Sequence, residues 1–156
     1  MKTYVTERPM LTLAGVSART TNAREAGQDG VLPGLWQAFF SSGLASEAQS
    51  RRSCIYALYT DYESDAAGSY RALVGCEADS SLAEKEADGA VVPAGKYLVF
   101  RTERGPMHEV VPKAWAEIWS YFKSSSEIRT FTGDFEQYAA QGDGGDTEAL
   151  IHIAIR

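Results

Sequence analysis

Two apolar helical stripes, each opening on a proline, stand 79 residues apart. Pro33 answers to Pro112, Trp36 to Trp115 and Phe40 to Trp119. A second echo follows in strand-like segments. Asp61-Tyr62-Glu63 matches Asp134-Phe135-Glu136 at an offset of 73. A repeat of this length constrains the fold more than any single motif, because both copies must close around one shared core. The expected unit is strand–helix–strand–strand, carried by half-repeats of roughly 4–78 and 90–156 within a single domain spanning 1–156. This is an α+β fold of two βαββ units related by a pseudo-two-fold axis. Its sheet is mainly antiparallel, with the helices on one face and a ligand cleft between the halves.

The local patterns fill in that frame. Met10–Thr20 reads as a mostly apolar strand and Asn22–Gly30 as a loop. Leu32-Pro33 opens the first helix, where a missing N–H is harmless, and Ser41-Ser42-Gly43 ends it. Ser53–Glu63 and Tyr70–Glu77 read as a hairpin around a turn with Asp65 and Gly68. Ala78–Gly89 reads as a short surface helix or a linker. In the second half, Gly95–Glu103 is a strand, and Val111-Pro112 opens a helix with Trp115, Ile118, Trp119 and Phe122 on one stripe. Phe131–Tyr138 and Ala149–Ile155 are strands, with a loop around Asp143 between them.

Strand side chains alternate between faces. Asp134, Glu136 and Tyr138 therefore share one face, as do Tyr59, Asp61 and Glu63. With Tyr62 and Phe135 turned toward the helices, the expected open face displays Tyr59, Glu63, Glu136 and Tyr138. A carboxylate walled by aromatic rings suits an organic cation, attracted by the charge and by the ring faces. The bland alternative is a solvated strand face, as on many antiparallel sheets. The tryptophan stripes equally fit core packing, and His152 fits a core or face histidine.

Composition removes several classes. The net charge is −6, and no basic run exceeds Arg51-Arg52, so direct nucleic-acid binding is not expected. The acidity is compatible with a cationic ligand. Cys54 and Cys76 lack metal-ligand or redox spacing, and no metal or cofactor is expected. The start, MKTYVTERPM, has no apolar leader, and no apolar run reaches membrane-spanning length, so the expected compartment is the cytoplasm, away from membranes. No Ser-His-Asp or Cys-His arrangement can be placed from spacing.

The chain resembles the GyrI-like small-molecule-binding domain, also known as the AraC-type effector-binding domain of multidrug-responsive regulators. The likeness is carried by LWQAFF (35–40), YALYTDYESDAAGSYRALVGCE (56–77), VPAGKYLVF (92–100), AWAEIWSYF (114–122), DFEQY (134–138) and the closing IHIAI. The YTDYESD stretch is most similar to stand-alone members encoded on integron gene cassettes, which bind cationic drugs. The resemblance implies a ligand-binding acid in an FE-x-Y motif, here Glu136 followed by Tyr138, with Glu63 as its repeat mate. Tyr59, Tyr97, Trp36 and Trp119 are the further aromatic candidates. The implied function is a stand-alone sensor or sequestering protein for amphipathic cations, without a DNA-binding module, as a homodimer or with a partner regulator. One alternative is a hydrolase of strained cyclopropanoid compounds using Glu136 as the catalytic group. Another is a protein-interaction role like that of the gyrase-inhibiting members.

Overall fold

A computed structural model describes residues 2–78, 88–139 and 146–156. The first half contains β1 (Thr3–Arg8), β2 (Leu11–Thr21), α1 (Asn22–Glu25), α2 (Leu32–Phe40), α3 (Gly43–Ser50), β3 (Ile55–Thr60) and β4 (Ser69–Glu77). The second contains β5 (Asp88–Val92), β6 (Gly95–Arg101), β7 (Gly105–Pro106), α4 (Met107–Ser124), β8 (Asp134–Tyr138), β9 (Asp146–Thr147) and β10 (Leu150–Ala154). Eight strands form one sheet in the order β1-β6-β10-β8-β3-β4-β2-β5, and each described pairing is antiparallel. The fold class is α+β, as the repeat predicts.

The sheet order explains its shape. Pro9-Met10 joins β1, first in the sheet, to β2, seventh; Pro93-Ala94 joins β5, eighth, to β6, second. In a flat sheet those strands would lie about 29 Å apart, six spacings of about 4.8 Å. Three Cα–Cα steps reach at most about 11 Å. The sheet must therefore curl until its ends approach each other. Gly15 and Gly75 permit part of this bend, since a Cβ on Gly15 would lie 2.0 Å from the Val74 carbonyl oxygen. Inside the curl, with no helix over them, lie Leu13, Tyr56, Leu58, Leu73, Val92, Tyr97, Phe135 and Ala154.

The outer face carries the helices. Leu35 and Phe39 of α2, Leu44 and Ala48 of α3, and Val110 and Val111 of α4 pack with Ile55, Ala57, Tyr59 and Tyr138. Ala114 and Ile118 of α4 cover Leu98, Phe100, Ile151 and Ile153. The helices thus lie on the Tyr59–Glu136–Tyr138 face, opposite to the expected arrangement. Alternation could not decide this, because every residue of β3 is buried, whichever way it points.

The duplication is exact in register, though not at the offset that Asp61 and Glu63 suggest. Arg8 pairs with Gly95 and Val92 with Leu11, so the two edge exchanges repeat at an offset of 84, as do Pro9 and Pro93. Followed across the ladders, this makes Leu13 equivalent to Tyr97, Leu73 to Leu150, and Leu58 to Gln137. Strands β3 and β8 then correspond at 79 (137 − 58), the same offset as the helices. Tyr59 is the mate of Tyr138, and Ala57 is the mate of Glu136. Asp61 and Glu63 lie beyond β3, where a φ of 49° at Asp61 turns the chain out of the sheet.

Other boundaries also shift. Helix α4 starts at Met107, so Pro112 lies inside it; Val110 and Val111 extend the apolar stripe ahead of the proline. Segment 22–30 contains the short α1, and Glu25 from it accepts the Val31 and Leu32 amides at 2.9 and 3.0 Å, capping α2. Strands β1 and β5 and helix α3 come in addition to the expected elements. The expected helix or linker falls mostly at 79–87, and the loop around Asp143 at 140–145, both outside the described residues.

Candidate functional site

Ala57 and Glu136 face each other as Cα partners where β3 meets β8, so they straddle the pseudo-two-fold axis. The Glu136 side chain rises from the centre of the sheet into the space between α2 and α4. It is only 2% exposed. Three groups donate to its carboxylate: Tyr138 Oη to Oε1 at 2.5 Å, Tyr59 Oη to Oε2 at 2.8 Å, and Trp115 Nε1 to Oε2 at 2.7 Å. Burial pushes the Glu136 pKa up, against the hydrogen bonds from Tyr138, Trp115 and Tyr59. Burial and the Glu136 charge hold both tyrosines well above the ordinary phenol value, so they act as neutral donors.

The surrounding rings are arranged in pairs. Trp36 meets Tyr138 edge-on at 5.2 Å, and Trp115 meets Tyr59 edge-on at 5.7 Å. Beyond them, Phe40 stacks with Trp36 at 5.9 Å, and Trp119 lies 6.1 Å from Trp115. Two ladders therefore climb from the carboxylate: Tyr138–Trp36–Phe40 and Tyr59–Trp115–Trp119. Each rung has its mate at the offset of 79. The outermost rings, Phe40 and Trp119, are 58% and 41% exposed.

Two residues away on the same strand face, Asp134 offers a useful contrast. It is fully buried and ion-paired with Arg129 at 2.7 Å. Tyr62 Oη donates to it at 2.5 Å and the Ala154 amide at 2.8 Å. Arg129 also lies over the Phe131 ring, 4.3 Å from its centroid. Asp134 thus has a resident cation, whereas Glu136 has neutral donors and no cation among the described residues.

The structure gathers Glu136, Tyr59, Tyr138 and Trp36 into one cluster and places Trp119 one helical turn outward. It separates two other expected residues. Tyr97 lies inside the curl on the opposite face, donating to the Pro93 carbonyl at 2.6 Å and packing against Phe135 and His152. His152 is buried there, stacked on Phe135, and its pKa is pushed down to about 4 by burial. Glu63 is exposed on the loop after β3. Sequence reasoning missed Trp115 as a partner of Glu136, because its stripe position also fits core packing. It missed Phe40 and Ala57 too, although the helix offset of 79, carried onto the strands, would have found Ala57. Cys76 is buried and Cys54 half-buried, both as free thiols. Among the described residues no group of three or more His, Cys, Asp or Glu is placed to hold a metal, and no helix is long and apolar enough to cross a membrane.

Known proteins resemble this chain in sequence or in fold. YobU of Bacillus subtilis (strain 168), named provisionally as a transcriptional regulator, is 38% identical over 140 residues, covering 86% of this chain and 85% of its own. The integron cassette protein VCH_CASS2 from the mobile metagenome of Vibrio cholerae superposes with a TM-score of 0.83 at 32% identity, covering 99% of this chain and 95% of its own. SAV2435, solved bound to tetraphenylphosphonium, shares the fold with a TM-score of 0.75 at 23% identity, covering 98% of this chain and 94% of its own. Residues 5–155 match the Cass2 family, described as integron-associated effector binding protein. With that match over nearly its whole length, and a duplicated fold built around one central buried carboxylate, the chain belongs to the integron-associated effector-binding family.

Proposed function

We propose that Glu136 anchors an amphipathic organic cation, and that the protein is a binder of such drug-like molecules. The observation that carries this reading is a carboxylate buried among neutral donors with no counter-cation among the described residues. Removing a charge from water is costly, and hydrogen bonds from phenols and an indole offset only part of that cost. A cation arriving in the cluster would supply the missing charge, while Tyr59, Tyr138, Trp36 and Trp115 offer ring surface to its apolar parts. The half-buried Trp115 indole occupies Glu136 Oε2, so a ligand reaching that oxygen displaces or shifts it. The general assignment, small-molecule binding, is that of the effector-binding family; the cation and Glu136 are specific to this proposal.

The test is calorimetric titration with tetraphenylphosphonium and with the neutral triphenylphosphine oxide, on wild type and Glu136→Gln. The expected result is binding of the phosphonium alone, weakened in the variant by about 2–5 kcal/mol, thirty-fold or more in Kd. Equal binding of both compounds, or of the phosphonium by both proteins, would remove Glu136 from the function. Mass analysis of the recovered ligand should find it unchanged; Glu136-dependent conversion would make the protein an enzyme.

A further inference from the structure

The ladders and the single carboxylate together specify the shape of the ligand. Glu136 sits at the pseudo-axis and its mate across the axis is the methyl of Ala57, which is 1% exposed. The rings around it come in mates: Tyr59 with Tyr138, Trp36 with Trp115, Phe40 with Trp119. We infer that the site selects a monocation with its charge at the centre of the molecule and an aromatic arm on either side, Ala57 being the residue that limits the charge to one. This inference rests on the cation reading above and deepens it.

The physical reasoning follows from where charge and apolar surface are offered. A charge that pairs with Glu136 lies at the foot of both ladders. A ligand with central charge can extend one arm toward Trp36 and Phe40 and the other toward Trp115 and Trp119. A ligand charged at one end can follow only one ladder and leaves the other wet. A second positive charge would face Ala57, where no carboxylate answers it, and would be desolvated without compensation.

Two isomeric cations isolate the position of the charge. Dibenzyldimethylammonium carries it between two benzyl groups; (4-benzylphenyl)trimethylammonium has the same formula and ring number with the charge at one end. Titrations with tetraphenylphosphonium as the reference ligand should show the central isomer binding at least tenfold more tightly than the terminal one. Benzyl viologen, with two charges between its benzyl arms, should bind at least tenfold more weakly than the central isomer. Phe40→Ala and Trp119→Ala alter exposed mates, and each should weaken the central isomer by a similar factor, within about threefold of the other. Equal affinity for the isomers, tighter binding of the terminal one or no binding of either would overturn the inference while leaving tetraphenylphosphonium binding at Glu136 intact. Viologen binding as tight as that of the central isomer would overturn the one-charge limit. Loss in only one of the two variants would overturn the two-arm arrangement. Failure of tetraphenylphosphonium itself would bring down the cation reading on which all of this stands.

Discussion

The two halves share a backbone and an aromatic lining but differ in buried charge. Carried across at 79 residues, Asp134 and Glu136 of β8 fall on Ile55 and Ala57 of β3. The first half buries apolar side chains where the second buries two carboxylates, which have different surroundings. Asp134 is closed by Arg129, Tyr62 and the Ala154 amide; among the described residues Glu136 is met by the neutral donors Tyr59, Tyr138 and Trp115. A buried acid with its own cation acts as a structural clamp. A buried acid without one among the described residues keeps its charge uncompensated, and on that difference the cation proposal rests.

The largest effect should come from breaking the clamp. Asp134→Ala leaves Arg129, whose side chain is 8% exposed, buried without its counter-ion. The expected loss is about 3–5 kcal/mol of unfolding free energy in denaturant titration. Its first-half counterpart, Ile55→Val, should cost only about 0.5–1.5 kcal/mol. Equal losses would mean that the buried pair contributes no more than ordinary packing.

Glu136→Gln should act in the opposite direction, making the empty protein more stable at neutral pH. The folded-state pKa of Glu136 lies above its unfolded value, chiefly through burial. Between those two values the folded chain holds more protons than the unfolded one, so wild-type stability falls as pH rises through that window. Below the ordinary carboxylate value both states are protonated, and the penalty disappears. The difference between variant and wild type should therefore be smallest in acid and reach a plateau above the raised value. A variant less stable than wild type at pH 7 would show that the three donors more than offset the burial of the charge. Cation binding couples to the same proton: affinity should fall as the solution is acidified through the Glu136 titration, with proton release on binding within that range.

How much of this was legible from residues alone depended on which part of the repeat carried the signal. The helices announced themselves, because proline and tryptophan are rare enough that Pro33-x-x-Trp36 and Pro112-x-x-Trp115 align without help. The strands did not. Asp-x-Glu recurs by letter at 61–63 and 134–136, but a turn at Asp61 removes the first copy from the sheet. The true mates, Tyr59 and Tyr138, required trusting one offset across helix and strand. The exchange of β1 and β5 between halves was hidden because their pairing is non-local, and TYVTER and DGAVV look like ordinary connecting segments. The helix-bearing face was hidden because the curl buries both sides of the central strands. The aromatic surroundings of Glu136 are legible in part, since strand alternation puts Tyr138 and Tyr59 on its face.

The tyrosine mates should respond alike, and the tryptophan mates unlike. Tyr59→Phe and Tyr138→Phe each remove a donor that favours the charged form of Glu136, so each should raise the pH midpoint of cation binding, read from titrations across a pH series. Trp115→Phe should move the midpoint in the same direction, whereas Trp36→Phe should leave it in place, because Trp36 packs against Tyr138 without touching the carboxylate. A shift of the midpoint in Trp36→Phe would show that the two ladders exchange roles in solution.

The smallest expected effect concerns the outer rings without ligand. Phe40→Ala and Trp119→Ala should change stability by no more than about 0.5 kcal/mol, the ordinary range for surface positions. Phe40 is 58% and Trp119 41% exposed, and each meets neighbouring rings of its own helix: Phe40 meets Trp36 and Phe39, Trp119 meets Trp115. Large exposed apolar groups that contribute little to the fold are consistent with a mouth open to apolar partners. Thermal melts of the two variants measure this directly. A loss well above 1 kcal/mol in either would place that ring in the core, and the ladder on that side would then end at its tryptophan.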